Sequence, residues 1–231
     1  MTIKLNGSTA GSVALDAPAS TTGNADISFK LPVADGSANQ VLKTDGSGNL
    51  AFATLADTND FVKLQAATGT SAVADLTFNS LDVTTYRTFK MIFSGYPSTD
   101  AAEFFFRFRD GSTDKSNAST YNWTNLGVGG SGTYYDNAGS DSKALICYNA
   151  GNNNYEGWRF ELTFVPTTSA EPAYQGNFGH TICNRFTENN SHRGENFWFK
   201  FHQQDTVDGF RLFPSTGNIA AYSYTLYGLK R

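Results

Sequence analysis

This sequence has few charges, two cysteines, no long apolar run and no stretch with helical apolar spacing, and each shortage removes a class of protein. Lys and Arg number 17 against 21 Asp and Glu, a formal net charge of −4. A protein that grips phosphate backbones needs a basic excess or stripe, so nucleic acid is not an expected partner. The apolar windows are short and interrupted, well under the roughly 20 residues that cross a bilayer. No membrane insertion is expected. The first residues lack a charged-then-apolar leader, so a protein made and kept soluble in the cytosol is anticipated. Cys147 and Cys183 are too few for a disulfide framework, and in a cytosolic protein they are expected to be reduced, buried thiols.

Aromatics, β-branched residues and turn formers fill the space that charge leaves. The chain carries 19 Phe, 11 Tyr, 3 Trp and 22 Gly. Aromatic side chains suit a pleated, half-buried surface, and Gly, Asn and Asp punctuate short strands. An all-β protein is expected, long enough for one substantial sandwich and a smaller appendage.

Composition changes near residue 57. Residues 1–56 contain only Phe29 and Phe52 as aromatics, too little apolar surface for a compact monomer. Short alternating patches run through the segment nonetheless. They comprise Val13 and Leu15, then Ile27, Phe29 and Leu31, then Val41 and Leu42, then Leu50 and Phe52. Thin strands of this kind become stable when copies of a chain close one another's cores. These nine residues are the expected trimerisation set, and residues 1–57 the expected attachment and trimerisation stem. Asp45-Gly46-Ser47-Gly48-Asn49 after Gln40–Lys43 reads as a hairpin loop.

From residue 58 the pattern becomes strand after strand. Phe104, Phe106 and Phe108 share one phase, with Glu103, Phe105, Arg107 and Arg109 on the other. Trp158, Phe160, Leu162 and Phe164 alternate with Arg159, Glu161 and Thr163, and Phe197, Phe199 and Phe201 with Trp198, Lys200 and His202. Such alternation buries one face and wets the other. Eight or nine strands at this spacing suit a jelly-roll-like antiparallel β-sandwich over residues 58–231.

Residues Leu31–Leu50, LPVADGSANQVLKTDGSGNL, closely resemble a segment of tail-fibre and other appendage proteins of tailed phages, marine and cyanobacterial ones in particular. The preceding stretch, from Leu5–Thr9 to Leu31–Pro32, fits the same kind of protein more loosely. Thr85–Gly95, TYRTFKMIFSG, with Phe105–Phe108, Ser215–Ile219 and Leu226–Lys230, is similar to the C-terminal domain of many such proteins. The resemblance implies a virion structural protein, synthesised in the host cytoplasm, with a self-associating N-terminal stem. Two functions follow as expectations. In one, the chain is a homotrimeric tail fibre, held by tail or baseplate proteins, whose sandwich meets a host cell-surface glycan. In the other, it is a capsid decoration or cement protein, a head fibre bound to the major capsid protein.

Recognition is expected in the polar segments 111–142 and 184–196, read as long loops, where a rigid sandwich usually carries binding. Tyr121, Trp123, Tyr134, Tyr135 and His192 are the candidate contacts, because exposed aromatics stack on sugar faces. Aromatics in β-proteins are more often core, and Trp123 has that reading beside the functional one.

Chemistry is not expected. His180 and Cys183 have ligand-like spacing, and Cys147, His192 and His202 could complete a zinc site only by an assumed geometry, since such a site needs four placed ligands. Asp110-Gly111-Ser112-Thr113-Asp114 lacks the later bidentate Glu of a calcium loop. Glu103, Glu156, Glu161 and Glu195 define no acid and nucleophile pair, and neither a nucleophile elbow nor a P-loop is present. The expectation is no enzyme, no metal and no cofactor.

Overall fold

The computed structural model describes residues 3–6, 9–55, 60–129, 132–153, 156–166, 177–187, 191–203 and 206–231. The chain divides into two compact units, Met1–Thr58 and Asn59–Arg231. Every sheet in both is antiparallel. Among the described residues the helical content is one 3-10 turn, Thr22–Asn24, and no helix is long and apolar enough to cross a membrane.

The first unit holds two separate strand pairs. β1 (Ile3–Asn6) pairs with β2 (Ser12–Leu15), and β3 (Gln40–Thr44) with β4 (Leu50–Thr54) in the register Leu42↔Phe52 and Thr44↔Leu50. The expected hairpin loop joins the second pair. Asp45 organises it: the carboxylate accepts the Ser47 and Asn49 N–H groups at 2.7 and 3.1 Å and the Asn49 amide at 2.6 Å. These bonds favour the ionised form and hold the Asp45 carboxyl below its ordinary pKa, the Asn49 side chain contributing most. Gly48 sits at φ 89°, and a side chain there would strike the Ser28 carbonyl. That close approach lets Lys30 exchange backbone hydrogen bonds with Gly48 and Leu50, both 2.8 Å.

No described residue of this unit is buried. Leu15, Ile27, Phe29 and Leu31 are each more than half exposed, Leu31 by 74%. Val41, Leu42 and Phe52 are also exposed, Leu50 is half-buried, and the Val13 side chain lies outside the described residues.

The second unit contains β5 (Phe61–Gly69), β6 (Leu76–Phe78), β7 (Tyr86–Pro97), β8 (Ala102–Asp110), β9 (Thr113–Asp114), β10 (Tyr121–Gly129), β11 (Gly132–Asp141), β12 (Ala144–Ala150), β13 (Gly157–Val165), β14 (Asn177–Thr187), β15 (Ser191–Phe201), β16 (Gly209–Pro214) and β17 (Ile219–Lys230). They form an eight-stranded sheet, β11-β10-β15-β14-β13-β7-β17-β5, and a smaller one, β12-β8-β16-β6 with β9 on β8. With β9 and the hairpins β10–β11 and β14–β15 set aside, the remaining strands pair in nested fashion. First joins last, β5 with β17, then β6 with β16, β7 with β13, and β8 with β12.

The core lies between these two sheets and is aromatic. Phe106 on the small sheet packs against Phe164 and Phe199 on the large one at 5.4 and 4.8 Å between ring centres. Phe104 stacks on Trp158 at 4.5 Å and Phe93 on Phe160 at 4.7 Å. The phases read from the sequence are the ones that face inward: Phe104, Phe106, Phe108, Trp158, Phe160, Leu162, Phe164, Phe197, Phe199 and Phe201 are all buried. Phe105 points outward as its phase requires, yet it too is buried, under Lys143 at 4.6 Å and beside Phe213 at 5.8 Å. Arg107 and Arg211 lie over the Phe213 ring in turn. Long basic stems thereby cover aromatic surface that would otherwise meet water.

Two expectations need correction. The segments 111–142 and 184–196 are not long loops: most of their residues belong to β10, β11, β14 and β15. Many of their described Gly, Ser, Asn and Asp residues lie on outer faces and in turns, although Asn125 is buried, and β10 is held by the Phe-rich β15 through the register Trp123↔Phe199 and Asn125↔Phe197. The cysteines are buried as expected, but Cys147 of β12 and Cys183 of β14 are joined in a disulfide, with Cα atoms 6.0 Å apart. That bridge links the small sheet to the large one. Closing a 36-residue separation stabilises the fold by about 3–4 kcal/mol in the chain-entropy account.

Candidate recognition surface

The two hairpins extend the large sheet beyond the small one's main strands, and their outer side chains form a continuous open face. Register carries one row across it: Ile92 of β7, Glu161 of β13, Ile182 of β14, Asn196 of β15, Leu126 of β10 and Tyr135 of β11. The next row includes His180, Trp198, Thr124 and Asn137. Ile92, Ile182, Leu126, Trp198 and Phe178 are all exposed large apolar groups.

Trp198 is the most distinctive of them. It is 44% exposed and stacks on the His180 imidazole with ring centres 5.2 Å apart and planes 19° from parallel. The His180 Nε2 atom is covered and makes no hydrogen bond among the described residues. Backed by the imidazole, the indole is a fixed platform rather than a loose side chain. A shallow depression of about 270 Å³ beside it is lined by Asn122, Thr124 and Lys200. A second, of about 400 Å³, is lined by Ile92, Ser94, Arg159, Glu161, Ile182 and Asn184. Lys90 pairs with Glu161 at 2.6 Å at the margin.

The five residues expected to recognise a ligand are dispersed. Tyr121 is fully buried, its hydroxyl accepting the Phe108 N–H at 2.8 Å, so it cannot meet a surface ligand. Burial pushes its phenol pKa up strongly. Trp123 packs against the core on the inner phase, its indole N–H unpaired among the described residues. The Tyr134 and His192 side chains lie outside the described residues. Among the described side chains of the five, Tyr135 alone stands on the open face, 67% exposed. Asn137 donates to its hydroxyl at 2.8 Å, and hydrogen bonds with Thr124 and Asn137 lower its pKa. Trp198, His180 and Leu126 were overlooked, although one signal was available: Trp198 is a large aromatic on the polar phase of its strand.

The residues weighed for chemistry are also separated. His180 and Cys183 are three apart on one strand and therefore on opposite faces. Glu161 is on the outer face, Glu195 is sealed inside at 1% exposure, and Glu156 accepts the Asn153 N–H in a turn at 2.9 Å. Asp114 is engaged by Arg107, Arg109 and Arg211. Burial alone would raise its carboxyl, but the Arg211 hydrogen bond and the Arg109 charge outweigh that and hold it low.

One grouping was not anticipated. Beneath β12, the Cys147 and Cys183 sulfurs and a Glu195 carboxylate oxygen lie within 4.8 Å of one another, and all three residues are buried. The Tyr148 N–H donates to Glu195 at 3.4 Å, and the Tyr148 hydroxyl donates to Asp136. Burial, the Asp136 hydrogen bond and the charges of Asp136, Glu195 and Glu103 together raise the Tyr148 phenol pKa. The chain matches no protein-family model, no curated protein and no solved structure in comparisons with each.

Proposed function

We propose that this is a non-enzymatic virion structural protein of a tailed phage, in which residues 1–57 associate as a homotrimer and join the particle while residues 58–231 present a recognition face to a host-surface glycan. The observation that carries the reading is the contrast in burial. The first unit exposes nearly all its apolar side chains, whereas the second encloses a complete aromatic core. Isolated strand pairs with no buried face are not stable in water. Partner copies supply the missing burial, and an open depression of about 460 Å³, lined by Leu31, Pro32, Val33, Leu50 and Phe52, offers them a seat.

We read the nested strand pairing of the second unit as jelly-roll-like, an architecture that recurs in capsid and lectin domains. Its open face suits a sugar. Trp198 and Tyr135 offer flat apolar surface to the C–H side of a pyranose, while Arg159, Glu161, Asn184, Asn122 and Lys200 can exchange hydrogen bonds with hydroxyls. The likeness of Leu31–Leu50 to phage appendage segments supplies the virion context.

Removing residues 1–56 tests the division of labour. The remaining chain should stay folded by circular dichroism and run as a monomer in light scattering, whereas the full chain runs as a trimer. A truncated protein that still trimerises would overturn the role given to the first unit. Antibody labelling of intact particles in electron microscopy then separates the two virion roles, since label on the tail supports host recognition and label over the head supports capsid decoration.

A further inference from the structure

The cysteine pair sits in surroundings that a plain sheet-to-sheet staple does not require. A buried disulfide is best packed among apolar groups, because every buried polar atom needs a partner. Here a carboxylate, Glu195, lies against the sulfurs. It is directly opposite Cys183 on β15, and its other neighbour in register is Gly127 of β10, which adds no side chain to the space between them. One step along the same inner face is Asn125, fully buried, with neither amide atom hydrogen-bonded among the described residues. Thr181, two residues before Cys183 on the same phase, is likewise buried with its hydroxyl unpaired.

Carboxylates outnumber cations near the site, with Lys143 acting on Glu103 beside Asp136 and Asp141. Asp136, Glu195 and Glu103 all act on Tyr148, the residue after Cys147, and the buried one of them, Glu195, favours a cation beside the sulfurs. Two thiols and a carboxylate are donors that a borderline-soft divalent ion selects, and zinc takes such sets in tetrahedral coordination. A Cα separation of 6.0 Å leaves both cysteines close enough to serve one ion after the sulfurs part.

We propose that Cys147, Cys183 and Glu195 form a buried zinc-class cation site in the reduced protein, so that the ion replaces the disulfide as the link between the two sheets. The chemistry balances with a thiol reductant. Two reductant thiols become a disulfide as the Cys147–Cys183 bond takes up two electrons and two protons, and the incoming ion then displaces one proton from each cysteine. The Glu195 carboxylate supplies the third ligand, oriented by the Tyr148 N–H. A water held by Asn125 completes the tetrahedron, which gives the unpaired amide a partner. Oxidation reverses the sequence by removing both thiolates and expelling the ion.

The oxidised chain is a control that needs no mutation. Full-length protein would be reduced, equilibrated with zinc and an excess of a phosphine reductant, freed of unbound metal by gel filtration and assayed by elemental analysis. A parallel sample with cobalt would be read for thiolate-to-cobalt charge-transfer absorption. The expected result is one zinc per reduced chain, none per oxidised chain, and charge-transfer bands in the reduced sample only. Cys147→Ala should abolish binding, and Glu195→Gln should weaken it at least about 10-fold, the smaller loss typical of a supporting partner. Reduced wild-type protein without stoichiometric metal would overturn the proposal, as would equal metal in the oxidised sample or in a Cys147→Ala/Cys183→Ala variant.

Discussion

The two units of this chain are both antiparallel β-structure, yet they solve burial in opposite ways. In Asn59–Arg231, two sheets share a core of stacked and edge-on phenyl rings, and the polar phase of each strand is left to water. Among the described residues of Met1–Thr58, strands of the same alternating kind pair only in twos, and Phe29 stays 63% exposed. Propensity is therefore not what separates them. A strand pair has two faces and needs something to cover at least one. The second unit covers its strands from within one chain. The first has too few aromatics to do so, and its described apolar side chains stay largely exposed.

The largest break in this comparison should come from the same substitution made in each unit. Phe106 is fully buried among Phe108, Phe164, Phe199 and Phe210, and Phe106→Ala should lower unfolding free energy by about 3–5 kcal/mol. Urea titration of the second unit would measure it. Phe29→Ala should leave that transition where it is and weaken self-association instead, seen as a concentration-dependent shift in analytical ultracentrifugation. A Phe29→Ala protein that trimerises like wild type would mean that the exposed phenyl has no partner.

Two aromatics sharpen the distinction between core and face. Tyr121→Phe removes the acceptor for the Phe108 N–H and should cost about 1–3 kcal/mol, the penalty of an unpaired buried donor, with no change in ligand binding. Trp198→Ala should do the reverse. Glycan affinity is expected to fall at least about 10-fold, or roughly 1.4 kcal/mol, by calorimetry against any sugar the wild type binds, while the melting temperature changes little.

The smallest effect concerns pH. Asp82, in the turn before β7, accepts hydrogen bonds from the Thr84 hydroxyl at 2.6 Å and the Thr85 N–H at 2.9 Å, and these push its carboxyl down from 3.8 to about 2. A depressed folded-state value means that the contribution is complete above 3.8 and is lost as pH falls towards 2. Carboxyl chemical shifts in an acid titration should place the Asp82 midpoint near the lower value. Asp45 in the first unit should also titrate below 3.8, and because its bonds all fall within residues 45–49, it should do so in a peptide covering β3 and β4. Loss of that shift in the peptide would show that the loop needs the rest of the unit.

Much of the second unit was legible because strand alternation is a local property. Phe104-Phe106-Phe108 and Trp158-Phe160-Leu162-Phe164 declare their buried face through a period of two, and the Asp45–Asn49 turn is written in its own side chains. The candidate recognition surface was less legible. Tyr121 and Trp123 looked like loop aromatics because Gly, Ser and Asn around them resemble loop composition, although the same residues serve equally well on the outer face of a long hairpin. Trp198 was visible as an aromatic out of phase, but its meaning depended on His180, eighteen positions away and brought beneath it by the β14–β15 register.

The sequence by itself determined which side of each long strand turns inward, where the aromatic-poor segment gives way to the aromatic-rich one, and where the Asp45 hairpin turns, because these follow from nearest-neighbour sterics and the pleat. Only the tertiary structure decided which strands pair, that two polar segments join the large sheet, and that Cys147, Cys183 and Glu195 meet beneath β12. Those are choices among distant partners, set by how the two sheets close over one core, and no local pattern encodes a distance between residues 36 apart.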